Sequence, residues 1–234
     1  MTDPPLSPAP AVELHRVMEG APRDALRSAI IGLARLSIRL RIEGTENIPA
    51  EGPILVAANH VHNLDPLLLA AASPRTLYFM AKRELFEIPL LGALISRLGG
   101  FPVDRGSADR SAIRYAEAVL AQGEALAMFP EGTRSPSGIL QEGHAGAGLI
   151  LQRSAAPLLP VGIIGTAGLP GNGSKKSQVA PEAGNMVIIR FGRPVRIEPE
   201  PGERLTSRQV TARIMDEIAA LLPDSYRPPE DHSS

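Results

Sequence analysis

The residues best suited to chemistry begin directly after the apolar run Ile54–Ala58, in the segment Asn59-His60-Val61-His62-Asn63-Leu64-Asp65-Pro66. A histidine followed by a carboxylate at this distance can form a His–Asp pair if the intervening turn folds Asp65 back onto the imidazole. The carboxylate would then fix the tautomer and stabilise the imidazolium as His60 takes a proton, which is general-base chemistry. Asp65-Pro66 also has the composition of a helix start, with Asp as N-cap and Pro in the first turn, and the two roles are compatible. His60-x-His62 is in addition the spacing of a metal-ligand pair. The chain has no cysteine, and among its other histidines only His144 falls near the other chemistry-bearing segments, so a three-His site would need all three.

Two further segments carry guanidinium groups and a tight turn: Gly100-Phe101-Pro102-Val103-Asp104-Arg105, and Phe129-Pro130-Glu131-Gly132-Thr133-Arg134-Ser135 after the apolar run Glu124–Phe129. Gly132 permits a sharp turn that presents backbone N–H groups, and Arg105 and Arg134 offer planar forks suited to phosphate oxygens. Each segment taken alone also reads as a turn with one solvated arginine. The absence of cysteine excludes thiolate nucleophiles, thiolate zinc sites and disulfides. No Gly-x-Ser-x-Gly elbow occurs, which argues against a serine hydrolase. Gly168–Lys175 misses the phosphate-loop spacing because Ser174 intrudes before Lys175, and it reads as an exposed basic loop.

These residues must be positioned by a framework, and the length of 234 residues fits one α/β domain with an extension. Hydrophobic residues make up 44% and charged residues 21%, too apolar for a disordered chain. A net charge of −1 and an aromatic content of 3% exclude a general nucleic-acid binder. The uncharged stretch 154–174 is long enough to raise the question of a membrane span, but three prolines and five glycines make it a strand leading into a loop. Alternating apolar runs and helical patterns predict strands over Ile54–Ala58, Leu77–Ala81, Glu124–Phe129, Leu158–Ile164 and Val187–Phe191, the last continuing through Val195–Ile197. Helices are predicted over Pro66–Ala72, Pro89–Leu98, Ser107–Gln122, Ala145–Arg153 and Ser207–Leu222. The fold class is therefore α/β, a single mixed-sheet domain over 44–223 flanked by helices, with a polar tail over 224–234. Residues 1–43 form a Pro-rich lead-in and an amphipathic helix, Asp24–Leu40, with Leu26, Ile30, Leu33, Leu36 and Leu40 on one stripe and Arg27, Arg35 and Arg39 opposite. That helix can pack on the domain with a solvated basic face, or lie on anionic lipid.

In combination and in this order, His60-x4-Asp65, the Gly100–Arg105 block, Phe129–Ser135 and Pro157-Leu158-Leu159-Pro160-Val161 resemble the four motifs of the glycerolipid acyltransferase family. Met80–Phe86 and Phe191–Val195 are further similar segments, and the resemblance spans roughly Gly44 to Ile197. It implies transfer of a fatty acyl group from acyl-CoA or acyl carrier protein to the free hydroxyl of 1-acylglycerol 3-phosphate, giving phosphatidate in phospholipid biosynthesis, with no cofactor and no metal. His60 would be the general base and Asp65 its orienting partner. Arg105, Glu131, Gly132, Thr133 and Arg134 match acceptor-binding positions, Lys82 is a further phosphate contact, and Pro160 lies near the acyl chain or acceptor. The implied partners are the lysophospholipid, the acyl donor and a membrane surface, and the implied location is the cytoplasmic face of the membrane, peripheral or monotopic.

Other lyso-lipid acceptors, such as a lyso-ornithine lipid, would present the same hydroxyl to His60. A non-catalytic lipid-binding protein on this fold is the reading from a different class, and the joint presence of His60, Asp65, Glu131 and Arg134 speaks against it. One departure stands out: members of the family often carry a basic residue just before the glycine that opens the next helix, whereas here Gln141-Glu142 precedes Gly143-His144. Glu142 either offsets the helix dipole at the surface or faces the acceptor, where it would favour a cationic headgroup.

Overall fold

The strand ILVAA over Ile54–Ala58 is buried at all five positions, with Ile54, Val56 and Ala58 in one core and Leu55 and Ala57 in another. A strand buried on both faces has to lie inside a sheet covered by helices on both sides. The computed structural model, which describes residues 19–103, 110–169, 186–200 and 204–228, has this architecture. Among the described residues seven strands form one sheet: β1 (Leu40–Glu43), β2 (Ile54–Ala58), β3 (Leu77–Lys82), β4 (Gly100–Val103), β5 (Ala125–Met128), β6 (Leu158–Ile164) and β7 (Val187–Phe191). Their order is β1-β7-β6-β2-β5-β3-β4, and neighbours run parallel except β6 and β7, which are antiparallel.

Helices α1 (Gly20–Ile38), α2 (Asp65–Ala72), α3 (Arg83–Phe86) and α4 (Leu91–Arg97) cover one face through residues such as Ile30, Ala34, Leu69 and Leu94. Helices α5 (Arg110–Ala121), α6 (Ala145–Ser154) and α7 (Ser207–Ala219) cover the other through Val119, Ile150 and Ile214. The start of α7 is fixed by a capping box in which Thr206 and Gln209 each bond the other's backbone N–H. The mixed α/β sheet with flanking helices is thus as expected, and the central pair β2 and β5 sets Ala57 beside Met128, so the loops after both strands leave the same edge.

Several boundaries differ from the sequence reading. The sheet takes in Leu40–Glu43, ahead of the expected domain start at Gly44, because the chain turns at Arg39 (φ 47°) and lays β1 parallel to β7. Gly100–Val103 is the edge strand β4 beside β3. Val195 makes only an isolated bridge to Leu158, so β7 does not continue through Val195–Ile197. The segment read as a polar tail begins with a short 3-10 turn, Asp224–Tyr226, and Tyr226 is buried. Its hydroxyl accepts the Gly165 N–H at 2.7 Å and its carbonyl the Leu140 N–H at 2.8 Å, which ties the chain end to two loops.

The largest difference is the rotation of α1. Leu26 and Ile30 face the core, but Leu33 is 67% and Leu36 87% exposed, whereas Arg23 is buried and Arg27 half-buried. Helix α2 ends with carbonyls that lack intrahelical donors. Arg23 Nη1 and Nη2 donate to the Pro74 and Ser73 carbonyls, and Arg27 Nε donates to the Ala71 carbonyl at 2.8 Å. Satisfying these acceptors turns Arg23 and Arg27 inward, while Arg35 stays exposed.

Arg23→Ala is therefore expected to lower stability by about 1–3 kcal/mol, through lost charge-assisted bonds and stranded carbonyls. Leu36→Ser should stay within about 0.5 kcal/mol of the wild type. Urea melts of both variants check this, and a Leu36→Ser loss as large as that of Arg23→Ala would mean that the leucine side packs.

Candidate active site

His60 leaves the end of β2 and is buried at 6% exposure. Its Nδ1 lies 2.9 Å from Asp65 Oδ2, and the same oxygen accepts the backbone N–H groups of Val61 at 2.7 Å and His62 at 2.6 Å. Backbone N–H groups can only donate, so Oδ2 is an acceptor throughout and Nδ1 carries the proton in the third bond. In the neutral imidazole this tautomer leaves the lone pair on Nε2, and His60 lines a cavity. Asp65 itself is fully buried in the first position of α2, with Pro66 following. It does not act as the N-cap expected from the sequence, because Leu64 holds that position and the Asp65 carboxylate turns back onto the preceding loop.

His60 is held from the β5 side as well. The His60 N–H donates to Glu131 Oε1 at 2.7 Å, the His60 carbonyl accepts the Ser135 N–H at 2.7 Å, and the imidazole stacks on the Phe129 ring at 4.3 Å between centroids. Ser135 offers no nucleophile to His60, since its hydroxyl donates to the Ile139 carbonyl at 2.6 Å.

A cavity of about 470 Å³ opens at this sheet edge, within the usual range for a small-molecule site. Its walls include His60, Lys82 at the end of β3, Gly132, Thr133, Arg134 and His144. Gly132 has φ +66°, and a Cβ there would come within 2.6 Å of the His144 ring, so both the turn and the imidazole require glycine. Of the residues expected at the acceptor, Lys82, Gly132, Thr133 and Arg134 line the cavity, while Arg105 lies outside the described residues, as does Gly168–Lys175 from residue 170 on. Pro160 does not line it: it sits buried within β6, where its carbonyl accepts the Gly192 N–H at 2.8 Å. Glu131 does not line it either, being 2% exposed behind the wall formed by Pro130 and Gly132.

Glu142 is also absent from this cavity. It lines a neighbouring groove between the α6 lead-in and α7, together with Arg208 and Asp216. His144, which the sequence placed near the other chemistry-bearing segments only as a third histidine of a metal site, belongs to both walls. Its signal was its place two residues after Glu142 at the opening of a helix, and only the fold of the Gly132 turn brings it to the site. His62 is buried and its Nδ1 accepts the Leu64 N–H at 3.0 Å, so it serves the loop. Among the described residues no group of three or more His, Asp or Glu side chains is placed to hold a metal ion.

Burial pushes the Glu131 carboxyl up from 4.5 to about 7, against the opposing effect of the bonds from His60 and Gln141, and the nearby Asp65 adds to the rise.

A buried His–Asp pair at the end of a central parallel strand, with basic side chains around one cavity, is suited to general-base activation of a hydroxyl. The family model described as Acyltransferase matches residues 39–164, and the chain belongs to that acyltransferase family. It is 33% identical over 128 residues to the 1-acyl-sn-glycerol-3-phosphate acyltransferase of Bacillus subtilis, covering 53% of this chain and 63% of that protein. It is 30% identical over 191 residues to the probable 1-acyl-sn-glycerol-3-phosphate acyltransferase of Mycoplasma pneumoniae, covering 78% of this chain and 70% of that protein. The crystal structure of the 1-acyl-sn-glycerophosphate (LPA) acyltransferase PlsC from Thermotoga maritima superposes with a TM-score of 0.62 at 26% identity, covering 85% of this chain and 80% of that one.

The Glu131 shift fixes a sign. Because the folded state holds this proton more tightly than the unfolded chain, the contribution is stabilising at low pH and is lost as pH rises from 4.5 through about 7. Between about pH 5 and about pH 8 the wild type should lose stability relative to Glu131→Gln, which cannot titrate. Thermal melts of the two proteins across this range check it, and a constant difference would mean that Glu131 titrates normally.

Proposed function

We propose that the protein transfers a fatty acyl group from acyl-CoA or acyl carrier protein to the free hydroxyl of 1-acylglycerol 3-phosphate, giving phosphatidate in phospholipid biosynthesis. The observation that carries this reading is the His60 Nδ1–Asp65 Oδ2 bond of 2.9 Å beside a cavity walled by Lys82, Arg134 and His144. His60 Nε2 takes the proton of the acceptor hydroxyl while its oxygen bonds to the thioester carbonyl carbon. The carbon–sulfur bond then breaks, and the imidazolium gives the proton to the departing thiolate, which leaves as the thiol. Asp65 stabilises the imidazolium between these steps. No acyl-enzyme is needed, in keeping with a chain that lacks cysteine. The guanidinium of Arg134 and the ammonium of Lys82 suit a phosphate on the acceptor. Glu142 lies outside the cavity, which supports a phosphate-bearing acceptor over one with a cationic headgroup.

The names of the relatives support the same acceptor, as does the fold shared with the Thermotoga protein. Turnover of labelled acyl-CoA with 1-acylglycerol 3-phosphate tests the reading directly. His60→Ala and Asp65→Asn should each lower kcat by on the order of 10²–10⁴. Arg134→Ala should instead raise KM for the acceptor about tenfold or more with little change for the donor. Near-normal turnover by folded His60→Ala protein would remove the mechanism.

A membrane surface is the natural source of such an acceptor. Among the described residues no helix is long and apolar enough to cross a membrane. Helix α1 nevertheless exposes Leu33 and Leu36 beside Arg35, an arrangement suited to an anionic interface. Removing α1 would also remove the Arg23 and Arg27 contacts, so a surface change is the cleaner test. Replacing Leu33 and Leu36 together by Glu should cut co-sedimentation with phosphatidylglycerol vesicles and leave the thermal midpoint in place. Unchanged vesicle binding would put the contact elsewhere.

A further inference from the structure

Glu131 matches an acceptor-binding position by resemblance, yet its geometry gives it other work. Oε1 accepts the His60 N–H at 2.7 Å, and Oε2 accepts the Gln141 N–H at 3.0 Å with Gln141 Nε2 at 3.4 Å. The residue is 2% exposed and is absent from the cavity wall, although both of its sequence neighbours, Pro130 and Gly132, line it. A carboxylate placed behind the wall, with each oxygen already taken by an N–H donor, is not set to receive a substrate hydroxyl. It joins two segments: the loop after β2 that carries the base, and the lead-in to α6 that carries His144.

We propose that Glu131, backed by Gln141, is a positioning residue that fixes the backbone at His60 and through it the imidazole, and is not a ligand of the acceptor. This rests on the reading of His60 as the general base. The His60 backbone is held at N by Glu131 and at the carbonyl by the Ser135 N–H, and both holds come from the segment after β5. The bonds to Asp65 tie the base to its own loop and to the start of α2, whereas the hold at the His60 N–H ties that unit to the segment after β5, and a displacement of about 1 Å from productive geometry costs about 10²-fold in rate. Gln141 supplies two donors without a charge, so the carboxylate draws its support from N–H groups and not from a cation.

Ionisation matters to this role. Both oxygens accept only while the group is a carboxylate, and protonation turns one of them into a donor that faces an N–H. The groups around it are Asp65, whose negative charge disfavours ionisation, His60, whose N–H it accepts and whose imidazole bonds Asp65, neutral Gln141, and Arg134 and His144 on the cavity side. With the carboxyl pushed up to about 7, the brace assembles as pH rises through neutrality.

The test compares full-length wild type, Glu131→Gln, Gln141→Ala and His60→Ala with palmitoyl-CoA and 1-acylglycerol 3-phosphate. Glu131→Gln should lower kcat by about tenfold to 10²-fold. Its KM for the acceptor should stay within about twofold, and one ionisation should vanish from the acid limb of the kcat–pH profile. Gln141→Ala, which keeps the backbone donor, should show a smaller fall in kcat with the same unchanged KM. A rise in acceptor KM with kcat retained would overturn the proposal, as would a loss of kcat with an unaltered pH profile. Hydrogen exchange at the His60 amide supplies a readout independent of turnover, with protection expected to drop in Glu131→Gln at a temperature where the variant is folded. If that protection is unchanged, Glu131 does not hold the base. If wild type and His60→Ala are equally inactive while the amide responds, the brace stands and the acyl-transfer reading fails instead.

Discussion

A single oxygen organises the site. Asp65 Oδ2 accepts from the His60 imidazole and from the N–H groups of Val61 and His62, so one buried carboxylate sets the tautomer of that imidazole and closes the loop that presents it. Its position in the first turn of α2 places the negative charge at the favourable end of that helix. The loop, the helix start and the base therefore form one unit. Replacing the carboxylate by a group with fewer acceptor sites would leave buried backbone N–H groups without partners as well as an unrestrained imidazole.

The rest of the site is supplied by sheet topology. His60 and Glu131 are 71 residues apart, and they meet because β2 and β5 are adjacent parallel strands whose ends lie side by side. Parallel neighbours direct their following loops to the same edge, and this is why open α/β sheets gather ligands there. Lys82 arrives at the same edge from β3. The lead-in to α6 completes the enclosure through the His144 N–H bond to the Pro130 carbonyl at 2.8 Å. Glycine at 132 lets two of these walls touch, since any side chain there would collide with the His144 ring.

Helix α1 shows the same priority of polar satisfaction over apolar area. Turning Leu33 and Leu36 inward would bury two leucines, each worth about 1.5–3 kcal/mol. It would also pull Arg23 and Arg27 off carbonyls at the end of α2, and buried carbonyls without donors cost a comparable amount each. The helix takes the second arrangement and leaves an apolar and basic strip in solvent.

Residue types and local spacing determined a good deal. The His60–Asp65 pair was legible because five residues and one turn are enough to bring the groups together, and no distant element has to cooperate. Strands β2, β5, β6 and β7 were legible as apolar runs, since strands buried on both faces carry an unbroken apolar signal. Alternation and length could not give the edge strands β1 and β4, whose short segments are recruited by neighbours far along the chain, Val187–Phe191 and Leu77–Lys82. The same holds for Glu131 and Pro160: spacing along the chain could not report that the Glu131 carboxylate bonds the His60 N–H or that Pro160 is buried within β6, which strand register and burial decide. The orientation of α1 was decided by carbonyls about 45–50 residues away, on α2 and just beyond it, which no periodicity within α1 could report. Sequence fixes what each segment can bond. Which partners it meets is a property of the sheet, because hydrogen-bond demands at long range are settled only when the strands are in register.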